Sequence, residues 1–149
     1  MEWFILFIIS WILFFLTVDW KMFKYNLWCG IMAMVIQLTV DYHFIEHNFY
    51  IINNTIKIFN SSIFFVLGPV FIAGTLIAQY HPVKRLSTII NLIVFTALFS
   101  AEEYLLEKTK ALEYINWDFF DSIIINLLAI GLLSWFTIVI LQNGRKDNV

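Results

Sequence analysis

Five long apolar runs, Trp3–Val18, Tyr25–Ile45, Ile58–Gln79, Leu86–Leu106 and Phe119–Leu141, occupy most of the chain. A helix needs about 20 mostly apolar residues to cross bilayer hydrocarbon, with about 17 as the lower end. Four runs meet that length and the first falls just short. Apolar residues make up 61% of the sequence and charged residues 13%, against about 45–50% and about 25% in soluble domains. A soluble domain of about 150 residues buries about 70% of the surface its chain exposes. The apolar remainder would form aggregating patches, whereas a lipid solvent removes the conflict. These features predict an all-α membrane protein, with residues 1–149 forming one domain. Its compact bundle has five transmembrane helices at about 3–18, 25–45, 58–79, 86–106 and 119–141.

The opening MEW carries Glu2, no basic stretch precedes the first run, and no small-residue cleavage site follows it. A retained helix is therefore expected in place of a removable signal peptide. The links DWKMFK and YHPVKR are short, as between antiparallel neighbours. HNFYIINNTIK and EKTKALEYINWD are longer and rich enough in apolar residues to lie in the membrane interface. Pro69, after Gly68, predicts a kink in the third helix. QNGRKDNV reads as a helix stop and a polar end.

Lysine and arginine set the expected orientation. Lys21, Lys24, Lys84, Arg85, Arg145 and Lys146 fall on one side; Lys57, Lys108 and Lys110 fall on the other. The side richer in positive charge is expected to be cytoplasmic, which puts the C-terminus inside and the N-terminus outside a bacterial cytoplasmic membrane. Trp3 and Trp117 are then expected at the outer interface, with Trp20 and Trp28 flanking the inner one. The net charge of −2 and the scattered basic residues point away from nucleic acid. Cys29 is the only cysteine, so no intrachain disulfide can form, and within an apolar run it reads as a small packing residue.

In lipid a side chain that can hydrogen-bond is costly to leave unpaired, so the polar residues inside the runs are informative. Helical spacing places Thr96, Ser100, Glu103 and Glu107 on one stripe, and Asp118, Asp121, Ser122, Asn126 and Ala129 on another. Ser61, Gly68, Thr75 and Gln79 share a face of the third helix, while Gln37 and Asp41 stand one turn apart on the second. The stripes are expected to face one another, with their carboxylates near the outer end. The candidates for a polar seam or ligand site are Asp41, Glu103, Glu107, Asp121 and Asn126.

HFIEH, residues 43–47, matches the H-x-x-E-H zinc-protease pattern, with His43 and His47 as ligands and Glu46 as base. The His43/His47 face is turned well over 100° from the Gln37/Asp41 face, so only one of them can point into the bundle. The deeper pair has the stronger need for burial, which leaves the histidines at the rim. No catalytic set, metal site, cofactor site or phosphate-cradling glycine loop is expected.

EYLLEKTKALEYINWDFFDS, residues 103–122, resembles an uncharacterised family of small multi-helix integral membrane proteins from spore-forming Gram-positive bacteria. The resemblance rests on Glu103, Tyr104, Lys108, Thr109, Tyr114, Trp117 and Ser122, with Pro82 and Lys84 in the preceding link. Where that family often has glycine after Lys-Thr, this chain has Lys110. The resemblance implies no activity; it favours Glu103 over Glu102.

The sequence therefore predicts a non-enzymatic membrane protein, a packing or partner-binding subunit with a polar intramembrane seam. Its partners would be the bilayer and a second protein or another copy of itself. The alternatives are a carrier or ligand-binding protein with an outward-facing acidic cavity and, last, a zinc-dependent membrane hydrolase.

Overall fold

A computed structural model describes residues 1–82 and 85–141. Among the described residues there are five helices: α1 (Glu2–Thr17), α2 (Trp20–Glu46), α3 (Ile63–Gln79), α4 (Arg85–Lys108) and α5 (Phe119–Leu141). Three of these, α2, α4 and α5, are long and apolar enough to cross a membrane. α1 and α3 are apolar but shorter, each about 25 Å against about 30 Å of hydrocarbon. Large apolar side chains cover the outside, among them Ile5, Leu16, Ile93, Leu105 and Leu128. That surface suits a lipid solvent.

Two helix starts differ from the sequence expectation. α2 begins at Trp20 instead of residue 25, because the Asp19 carboxylate accepts the Lys21 amide at 2.9 Å and caps the helix there. DWKMFK is thus mostly first turn and not a loop. α3 begins at Ile63 instead of residue 58, since residues 57–62 form a hairpin of β2 (Lys57–Ile58) and β3 (Ser61–Ser62). Its two turn residues, Phe59 and Asn60, both have positive φ, as the tightest hairpin turns require. The kink expected at Pro69 is a π-helical turn over Val66–Val70, where Phe71 donates to the Val66 carbonyl. Proline lacks an N–H and crowds the carbonyl one turn back, and the widened turn accommodates both.

The two long helices α2 and α4 end in the same way. After α2, Phe49 N–H donates to the Phe44 carbonyl and Asn48 N–H to Ile45, both at 3.0 Å. After α4, Ala111 donates to Leu106 at 3.0 Å and Lys110 to Glu107 at 2.9 Å. Asn48 and Lys110, the pivots of these two Schellman turns, have φ of 57° and 59°. Each turn sends the chain back across the bundle end as a strand, β1 (Tyr50–Ile52) and β4 (Leu112–Tyr114). The strands pair antiparallel in the register Tyr50↔Tyr114, Ile51↔Glu113, Ile52↔Leu112. The connections at 46–57 and 107–118 therefore share one end of the bundle, capped by the sheet.

At the opposite end Gln79 bridges α1 and α2: its Oε1 accepts the Asp19 amide and its Nε2 donates to the Thr17 carbonyl, both at 2.8 Å. Lys84, the Arg85 side chain, Arg145 and Lys146, four of the six charges behind the expected orientation, lie outside the described residues, as does the tail from residue 142.

Packing is tightest between α2 and α3. A Cβ on Gly74 would lie 2.6 Å from the Ala33 Cβ and 2.7 Å from the Cys29 carbonyl oxygen, and one on Gly30 would lie 2.8 Å from the Phe71 carbonyl oxygen. Small residues let these backbones touch, as in membrane bundles. α1 meets α3 through aromatic pairs, with Trp3 edge-on to Phe65 at 5.5 Å and Phe4 edge-on to Phe64 at 5.5 Å. Cys29 is fully buried, its Sγ 3.5 Å from Thr137 Oγ1, which agrees with a packing role.

Two substitutions test these contacts. Gly74→Val should lower stability by about 1–3 kcal/mol or more through overpacking, read by unfolding in mixed detergent micelles. Lys110→Gly should raise it by about 0.5–1 kcal/mol. Relief of about 1–2 kcal/mol of left-handed strain outweighs the extra chain entropy of glycine.

Candidate functional site

Beneath the β1·β4 sheet lies a cavity of about 50 Å³, room for a few waters or one small polar ligand. Four segments supply its polar groups: Gln37 and Asp41 from α2, Tyr50 from β1, Glu103 from α4, and Ser122 and Asn126 from α5. Tyr114 and Trp117 complete the wall on the β4 side, while Trp3, from α1, encloses it further. Strand alternation puts both tyrosines inside: Tyr50 and Ile52 are buried and Ile51 between them is exposed.

Asp41 is the most enclosed charged residue, 1% exposed. Its Oδ1 accepts from the Tyr50 hydroxyl and, at 3.0 Å, from Gln37 Nε2. Ser61 stands beside the carboxyl without reaching hydrogen-bond geometry, and Asp41 Oδ2 has no hydrogen-bond partner. Asn126 and Ser122 stand beside the Glu103 carboxyl, whose buried Oε2 has no partner in hydrogen-bond geometry. Among the described residues no lysine, arginine or histidine lines the cavity. Trp117 Nε1 donates to Ser122 Oγ at 2.9 Å, the Tyr114 hydroxyl lies 3.1 Å from the same oxygen, and Asn126 Nδ2 donates to Ser100 Oγ at 3.4 Å. The last bond joins α4 and α5 along their predicted polar stripes.

Of the five candidates read from the sequence, the structure brings together Asp41, Glu103 and Asn126. Asp121 lies outside the cavity: its Oδ2 accepts the Asp118 amide at 3.1 Å, so it caps the first turn of α5. Glu107, one turn beyond Glu103, is half-buried and does not line the cavity. The other stripes also divide. Ser61 precedes α3 and stands near Asp41; Gly68 meets Phe7 of α1; Thr75 bonds its own Phe71 carbonyl.

His43 and His47 are exposed, with Nδ1 atoms 2.8 Å and 2.7 Å from the carbonyl oxygens of Thr39 and His43. No group of three or more potential metal-ligating side chains occurs among the described residues. Trp3 and Trp117, expected as interfacial anchors, instead turn inward. Trp3 is 2% exposed and donates from Nε1 to the Asn53 carbonyl at 2.7 Å. Trp20 and Trp28 are exposed.

Nothing local in the sequence marks Tyr50, a strand tyrosine, as the partner of a helix aspartate. Burial, then the charge of Asp41, raises its phenol well above the usual range. Burial, then the charge of Glu103, pushes Tyr114 from an ordinary 10.0 up to about 12. Comparison with protein-family models, with curated proteins and with solved structures finds no match.

Tyr50→Phe removes a donor from the Asp41 carboxyl and should cost about 1–3 kcal/mol of stability, read by unfolding at neutral pH. Between pH 10.0 and about 12 the folded chain holds the Tyr114 proton that the unfolded chain releases. This contribution is constant below pH 10.0 and declines as pH rises through that window. Tyr114→Phe should flatten the decline, read as the pH dependence of unfolding.

Proposed function

We propose that this is a membrane-embedded binding protein for a small organic cation, held in the acidic chamber at one end of a five-helix, membrane-spanning bundle. One observation carries the reading: Asp41 and Glu103 line one cavity, each has a buried carboxylate oxygen that makes no hydrogen bond, and no basic side chain among the described residues lines it. Buried carboxylates call for paired positive charge. Primary ammonium supplies it with three N–H donors on a single centre. The aromatic walls add attraction for a cation through their ring faces, and Ser122 and Asn126 offer oxygens for its remaining donors. The proposed role is binding or carriage rather than chemical conversion.

The bundle would sit in a bacterial cytoplasmic membrane, N-terminus outside, so that the chamber meets the exterior. The lipid-suited surface of the five helices and the lysines at 21 and 24 support this placement. Cys29 is buried and offers little background to thiol reagents. Glu113→Cys should therefore react with an impermeant reagent added to intact cells, while Lys21→Cys should react only after permeabilisation. The opposite pattern would invert the topology.

Methylammonium is the simplest probe of binding. The protein in lipid nanodiscs should bind it saturably, with affinity reduced about tenfold or more in Asp41→Asn and in Glu103→Gln, a loss of about 1.4 kcal/mol or more. Unchanged affinity in both variants would refute the cation reading.

A packing or partner-binding subunit is the second reading, favoured by the Asn126–Ser100 bond between α4 and α5. Under that reading Glu103→Gln alters stability or assembly, and no ligand binding is there to lose.

A further inference from the structure

A second cavity, of about 40 Å³, adjoins the acidic chamber. Ile36, Gln37, Asn126 and Ala129 line both, so these four side chains form the partition. Beyond it the lining changes character. Among the described residues that line it, Gln37 and Asn126 are the only polar ones; the rest are Ala33, Ala73, Gly74, Ala129 and larger apolar side chains of α2 to α5. Water entering there would find few partners, and an apolar void of this kind stays dry and accepts hydrocarbon.

We infer that the two cavities form one amphiphile site, which takes a primary alkylamine with its ammonium in the acidic chamber and its alkyl chain in the apolar cavity. This rests on the cation reading above and specifies the ligand class. The ammonium would donate to Asp41 Oδ2 and Glu103 Oε2, the two partnerless oxygens. The chain would leave past Gln37 and Asn126. Each donates one side-chain bond to a neighbour, Gln37 to Asp41 at 3.0 Å and Asn126 to Ser100 at 3.4 Å, and side-chain rotation at these two positions opens the partition. Charge complementarity fixes the head; the change from polar to apolar lining fixes the direction of the tail.

The test is a chain-length series of methyl-, ethyl-, propyl- and butylammonium, titrated against the full chain in nanodiscs with empty nanodiscs as the partition control. Trp3 and Trp117 line the acidic chamber and provide a fluorescence readout. Affinity should rise roughly fourfold per added methylene for the one or two groups that about 40 Å³ can take, and then level off. Ala73→Leu, which fills the apolar cavity, should abolish the gain with length and leave methylammonium affinity unchanged. Saturable methylammonium binding with no gain along the wild-type series would overturn the amphiphile inference and leave the cation reading standing. A gain that persists in a folded Ala73→Leu protein would overturn it equally. Binding that is insensitive to both Asp41→Asn and Glu103→Gln would remove the two together. The wild-type series decides the inference even where a variant fails to fold.

Discussion

A carboxyl group buried where no basic side chain among the described residues reaches it organises one end of this protein. Asp41 is too buried to be solvated and must find neutral donors. One comes from its own helix, Gln37, and the other from a strand beyond the helix end, Tyr50. To deliver that hydroxyl the chain must turn sharply after α2 and run back across the bundle. The left-handed Asn48 and the Phe44–Phe49 hydrogen bond achieve this. The demand of one polar group is thereby transmitted to the course of the backbone.

The same turn at the end of α4 completes the arrangement. With α2 and α4 finishing alike, their trailing strands meet and pair along one side of each. Register then matters more than strand length: pairing Tyr50 with Tyr114 brings both phenols to the inner side, one to Asp41 and one to Ser122. A shift of one residue would turn Ile51 and Glu113 inward. The contacts between α2 and α3 and the aromatic pairs between α1 and α3 hold the helices beneath this cap, and the second cavity lies beside the α2–α3 contact.

Much of this was legible in the residues. The apolar runs marked all five helices, and the Gln37/Asp41 spacing correctly turned that pair inward and the histidines of HFIEH outward. The stripes on α4 and α5 put Glu103 and Asn126 in one cavity. Asp121 and Glu107 lie outside that cavity; for Glu107, one turn beyond Glu103, helical periodicity gives a direction around an axis and not the depth at which a cavity ends. Asp121 lies about 100° round α5 from Ser122 and about 140° from Asn126, and in the first turn its carboxylate has the Asp118 amide as a nearer partner. Trp3 and Trp117 turn inward, and each ring N–H finds an acceptor there: the Asn53 carbonyl for one, the Ser122 hydroxyl for the other. The strands escaped notice because they are two or three residues long, and the partners of β1 and β4 lie far away in sequence.

By itself, then, the sequence determined the solvent this chain suits and the number of its helices, because both follow from the amount and spacing of apolar side chains along the backbone. Tertiary structure alone decided which polar groups share a chamber, which of them cap a helix, and where a second, oily space opens beside the first. Those outcomes depend on how helices rotate and terminate against one another. Such relations join residues dozens of positions apart and leave no local pattern to read.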